Sequence, residues 1–112
     1  MTTVTVTRKA GHIYKVEAKG HTGYAEAGSD IVCAAVSALT QGALLGLKNV
    51  AEVKVTETIS DGELRFKIHS FSDKTDAILE TMLMSLEDIS SSYPSHLKTE
   101  DIKDDQTSII RS

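Results

Sequence analysis

Two residues in this chain have the types and spacing for nucleophilic chemistry. Cys33 is the single cysteine, and it lies in the apolar run Ile31-Val32-Cys33-Ala34-Ala35-Val36. Ser29 and Asp30 just before that run read as a helix start, a capping oxygen followed by an acid. This register puts Cys33 in the first helical turn, where unpaired backbone N–H groups and the helix dipole stabilise an anion. A thiolate so placed has a lowered pKa and is the better nucleophile near neutral pH. The competing reading is packing, because free cysteine is among the most buried residue types. His21 stands twelve positions earlier in a glycine-rich stretch. A loop of that length can bring an imidazole beside the helix start, as a base or as the cation of an ion pair. Its alternative is a solvated loop histidine.

Two further residues are candidates for support. Asp30 either orients His21 or serves only the helix start. Ser37 follows Cys33 by one helical turn on the same face. It either donates a hydrogen bond to the sulfur or bonds back to its own helix. Gly20, Gly23 and Gly28 match neither GxGxxG nor a P-loop, so a nucleotide is not expected. His12, His69 and His96 read as surface residues. One cysteine and 4 histidines without HxxxH or CxxC spacing predict no metal site, and no cofactor is expected.

The elements that position these residues follow from hydrophobic periodicity. Val4 and Val6 alternate with threonines, and Tyr14, Val16 and Ala18 with Lys15 and Glu17, which predicts a hairpin of two strands around Ala10-Gly11-His12. Lys19 to Ser29 reads as a loop with Gly20, Gly23 and Gly28. Residues 31–48 predict a helix that is apolar nearly all round and uncharged between Asp30 and Lys48. Residues 50–59 predict a strand, Asp61-Gly62 a tight turn, and Leu64, Phe66 and Ile68 a fourth strand. Ser70 or Ser72 caps a second helix with the stripe Ile78, Leu79, Met82, Leu83, Leu86 and Ile89. The order strand-strand-helix-strand-strand-helix predicts an α+β two-layer sandwich, a mostly antiparallel four-stranded sheet with two helices. Residues 1–98 form one domain, and the polar residues 99–112 read as a poorly ordered tail.

Composition bounds the function classes. A chain of 112 residues is one domain of this size. The net charge is -4, and no basic patch is visible in the sequence, so direct nucleic-acid binding is not expected. No apolar run reads as the ~20 residues of a membrane span, and the N-terminus lacks the pattern of a signal peptide. A lone cysteine suits a cytoplasmic protein.

The segment Gly20-His21, Gly28 and Asp30-Ile31-Val32-Cys33-Ala34-Ala35-Val36-Ser37 resembles the signature of the bacterial ribosomal-processing cysteine proteases, the Prp family. The likeness extends over about residues 3–98, through the Asp61-Gly62 hairpin and Met82-Leu83-Met84-Ser85-Leu86-Glu87, and stops at Thr99. It implies an α+β homodimer that removes a short N-terminal extension from a large-subunit ribosomal protein, number twenty-seven, during ribosome assembly. It also implies cleavage just after an aromatic pair. By motif position Cys33 is the nucleophile and His21 the base, with Asp30 and Ser37 in supporting places.

The residue reading and the resemblance agree on a Cys/His dyad whose oxyanion is held by N–H groups at the helix start. Thr22, Gly23, Tyr24 and Gly28 are expected to form a flexible lid over the site, with the two glycines as hinges. The charge-free helix suggests a self-complementary dimer face. A second class of function is a non-enzymatic dimeric assembly module with a structural cysteine, in which Cys33→Ser is harmless. A thiol redox sensor would need Cys33 of a second subunit as its resolving partner.

Overall fold

In the computed structural model, residues 1–20 and 27–104 are described, 27–30 by their backbone alone. The first hairpin joins β1 (Thr2–Lys9) to β2 (His12–Lys19). Its turn holds Ala10 at φ 52° and Gly11 at φ 84°, the left-handed pair that a two-residue hairpin turn requires. Helix α1 (Ala27–Asn49) follows, then β3 (Val55–Ser60) and β4 (Glu63–Ile68) around Asp61-Gly62, with Gly62 at φ 76°. Helix α2 (Asp73–Ser92) and β5 (Leu97–Lys103) complete the chain.

The sheet has five strands in the order β3-β4-β2-β1-β5. The β1–β2, β2–β4 and β3–β4 pairs are antiparallel, and β5 joins β1 in parallel. This corrects the four-stranded expectation, and it corrects the reading of residues 99–103 as tail. The hydrophobic pattern hides β5 because it is an edge strand. Leu97 alone is fully buried, and its neighbours carry charge, as exposed sheet edges commonly do. Asp101 on β5 is neutralised by Arg8, whose Nε lies 2.8 Å from Oδ1, and Arg8 also grips Glu80 of α2. Those two hydrogen-bonded carboxylates raise the Arg8 pKa further.

Both helices contribute to one core with the sheet. Val4, Val6, Val16, Phe66 and Ile68 project from the strands into Val32, Val36, Leu44 and Leu47 of α1 and Leu79, Met82, Leu83 and Leu86 of α2. Burying each large aliphatic side chain contributes about 1.5–3 kcal/mol. Residues 31–49 have the length and apolarity of a membrane span, contrary to the sequence expectation; here they form much of the core helix α1.

Ser72 caps α2: its hydroxyl accepts from the Thr75 N–H, and Thr75 Oγ1 accepts from the Ser72 N–H. Strand β3 begins at Val55, later than the alternation from Val50 suggests. Residues 50–53 instead close the end of α1, with the Val50 and Ala51 N–H groups on the Gly46 carbonyl and the Val53 N–H on the Leu47 carbonyl. Glu52 at φ 55° takes the left-handed step there.

Candidate active site

Helix α1 begins at Ala27, two residues before the expected cap. One glycine costs a helix about 1 kcal/mol, which the long apolar face beyond Ile31 outweighs, so the helix continues back through Gly28. Two expectations change. Gly28 belongs to a helix and not to a loop hinge, and Ser29 and Asp30 lie within the first turn and do not cap it. Cys33 is then the seventh helical residue, in the second turn. The free N–H groups of this helix belong to residues 27–30, so the helix start does not supply Cys33 with orphan backbone donors.

Cys33 is half-buried and faces a pocket of about 270 Å³. Ser37 and Gln41 line the same pocket, at i+4 and i+8 on the same face of α1. Thr2 at the start of β1 and Gly20 just after β2 close one side. The opposite wall comes from the β3–β4 hairpin, where Ile59 and Leu64 are apolar. Lys19 and Glu63 also line the pocket, and they pair with each other at 3.6 Å. The pocket thus combines an apolar wall for a side chain with a polar floor around one sulfur.

The end of β2 is locked to the β3–β4 turn beside Cys33. The Gly20 N–H donates to the Gly62 carbonyl at 3.0 Å. A Cβ on Gly20 would lie 2.6 Å from Thr2 Cα, so glycine is required by the close approach of these two backbones. Thr2 Oγ1 lies 3.5 Å from Cys33 Sγ. Thr2 in turn is fixed by its N–H on the His96 carbonyl at 2.9 Å.

Of the sequence candidates, Cys33 and Ser37 share the pocket. His21, Thr22, Gly23 and Tyr24 lie outside the described residues, as does the side chain of Asp30. Gly20, the residue covalently bonded to His21, lines the pocket with Cys33. Sequence reasoning missed Thr2, Gln41 and the Lys19–Glu63 pair. A signal existed for Gln41, a large polar side chain two turns beyond Cys33 in the uncharged part of α1. None existed for Thr2, whose contact with Cys33 spans 31 positions. No group of histidine, cysteine, aspartate or glutamate suited to a metal occurs among the described residues.

Comparison with known proteins adds a family. A family model described as cysteine protease Prp matches residues 1–98. The ribosomal processing cysteine protease Prp of Mycoplasma pneumoniae is 32% identical over 93 residues, covering 83% of this chain and 92% of that one. The protein of the same name from Staphylococcus aureus is 31% identical over 102 residues, covering 88% and 96%. Among solved structures, SMU.848 from Streptococcus mutans superposes with a TM-score of 0.83 at 26% identity, covering 92% of this chain and 95% of that one. The essential ribosomal processing protease Prp from S. aureus, in complex with a covalently linked product peptide, gives 0.81 at 28% identity, covering 90% and 99%.

Proposed function

The chain belongs to the Prp family of cysteine proteases, and from that premise we propose that it removes a short N-terminal extension from large-subunit ribosomal protein twenty-seven during ribosome assembly in the cytoplasm. Cys33 is the nucleophile and His21 its base. The observation that carries this reading is the shared pocket: Cys33 opens onto it, and Gly20, the residue before His21 in the sequence, lines it. The covalently linked product peptide in the S. aureus relative supports a covalent route.

His21 takes the proton of the Cys33 thiol, and the thiolate attacks the scissile carbonyl carbon to form a carbon–sulfur bond. The negative charge moves to the carbonyl oxygen. Ser37 and Gln41 carry side-chain donors for it on the same helix face, a role the earlier helix start takes away from the N–H groups next to Cys33. The carbon–nitrogen bond then breaks, and the leaving amine takes the proton from His21. Water hydrolyses the thioester, releasing the new carboxyl terminus and restoring the thiol. Ile59 and Leu64 offer the substrate an apolar surface beside the scissile bond.

Incubation with the extended ribosomal protein, followed by mass spectrometry, tests the reading. The expected product is a single new N-terminus just after an aromatic pair. An intact substrate after prolonged incubation with folded enzyme rejects it.

The enzyme acts as a homodimer. With the helices packed on the sheet, Ile31 and Leu45 of α1 remain 60% exposed and Met84 of α2 68% exposed. An apolar groove between α1 and α2 is lined by Leu39, Gly42, Gly46, Val50 and Ile78. Burying such a face between two copies is the ordinary solution for a small protein. Sedimentation at micromolar concentration should give the dimer mass, and Leu45→Glu should give the monomer. A wild-type monomer counts against the interface.

A further inference from the structure

We infer that Thr2 is a positioning residue for the cleavage: its hydroxyl donates to the Cys33 sulfur and holds the thiolate toward the pocket. This rests on the reading of Cys33 as nucleophile. The need for such a donor follows from the helix register. Cys33 sits in the second turn of α1, past the residues whose N–H groups are free and beyond the range over which the helix dipole acts strongly. Thr2 Oγ1 lies 3.5 Å from Sγ, within reach for its hydroxyl to donate to a thiolate. When the sulfur is deprotonated it can only accept, so the hydroxyl is the donor.

The hydroxyl is held in place from both sides. Thr2 is only 6% exposed, and its backbone N–H is bonded to the His96 carbonyl. A Cβ on Gly20 would come within 2.6 Å of Thr2 Oγ1, so the bare glycine leaves just the room the hydroxyl occupies. One side chain therefore touches both the nucleophile and the residue that precedes the base. A hydrogen bond to an ionised group is stronger than one between neutral partners. Its loss should weaken the attacking form.

Among the described residues, the other charged groups at the pocket are Lys19 and Glu63, which line it as a pair. The Met1 amine precedes Thr2 in the chain, and His96 accepts the Thr2 N–H through its carbonyl. Substituting Thr2 leaves all of them in place, so a change in the thiol's titration reports on the hydroxyl.

The test is the pH dependence of Cys33 alkylation by iodoacetamide, with cleavage kinetics alongside. Thr2→Val keeps the shape and removes the hydroxyl. It should move the alkylation midpoint up by roughly one pH unit and lower kcat about tenfold with KM little changed. Thr2→Ala, which adds no methyl in place of the hydroxyl, should shift the midpoint equally. Thr2→Ser should restore wild-type behaviour. Wild-type alkylation profiles for both hydroxyl-free variants, in an enzyme whose cleavage still depends on Cys33, overturn the role of Thr2 alone. Cleavage by a folded Cys33→Ala protein overturns the nucleophile assignment and this inference with it.

Discussion

Cys33→Ala is expected to abolish cleavage, by at least roughly a thousandfold, while the protein stays folded. The two halves of this result have separate causes. Activity is lost because, among the described residues, the pocket holds no second thiol, and the Ser37 hydroxyl stands a full turn away from the sulfur's place opposite Thr2. The fold survives because Cys33 is half-buried at a pocket wall and is not part of the core, which runs through Val32 and Val36 on either side of it. Removing one partly exposed sulfur costs at most about 1–2 kcal/mol. Mass spectrometry of the substrate and a thermal melt of the variant measure the two halves. Residual proteolysis by the folded variant rejects the nucleophile. Global unfolding would instead mean that the cysteine serves packing.

The main architecture is legible in the sequence because it rests on local rules. Gly11 and Gly62 mark turns that need positive φ, and both are found there. Ser72 announces α2, and the stripe through Leu79, Met82, Leu83 and Leu86 is the buried face of that helix. Strand β5 breaks the pattern because only Leu97 is buried deeply, while the charge of Asp101 is satisfied by Arg8 from a strand far away in sequence. A polar edge strand resembles a tail until its partner is known.

The site divides in the same way. Cys33 and Ser37 are found from spacing along one helix. The start of α1 differs because Ser29-Asp30 has the local pattern of a cap while the helix runs back to Ala27, and that shift moves Cys33 out of the first turn. Thr2, Gly20 and the Lys19–Glu63 pair reach the sulfur's pocket only through strand register, in which Lys19 stands opposite Thr3 on one side and Glu63 on the other. No periodicity within a single element encodes that meeting.

His21→Ala is expected to lower the cleavage rate by roughly a hundredfold to ten-thousandfold, the usual range for a general base. Two steps need the imidazole. It removes the thiol proton before attack, and it returns a proton to the leaving amine when the carbon–nitrogen bond breaks. Loss of the first role also slows alkylation of Cys33 near neutral pH, since the thiolate and not the thiol reacts. Loss of the second leaves alkylation untouched, so comparing the two rates apportions the effect. The motive is covalent: His21 is bonded to Gly20, and Gly20 is pinned beside Cys33 by its N–H on the Gly62 carbonyl and by its close contact with Thr2. Consecutive Cα atoms are about 3.8 Å apart, and Gly20, the residue before His21, lines the pocket. Lys19 and Glu63, the charged groups described at the pocket, are paired with each other at 3.6 Å. The measurement is iodoacetamide reactivity between about pH 5 and 9 together with single-turnover cleavage. A His21→Ala protein that matches wild type in both would show that the thiol is activated without it.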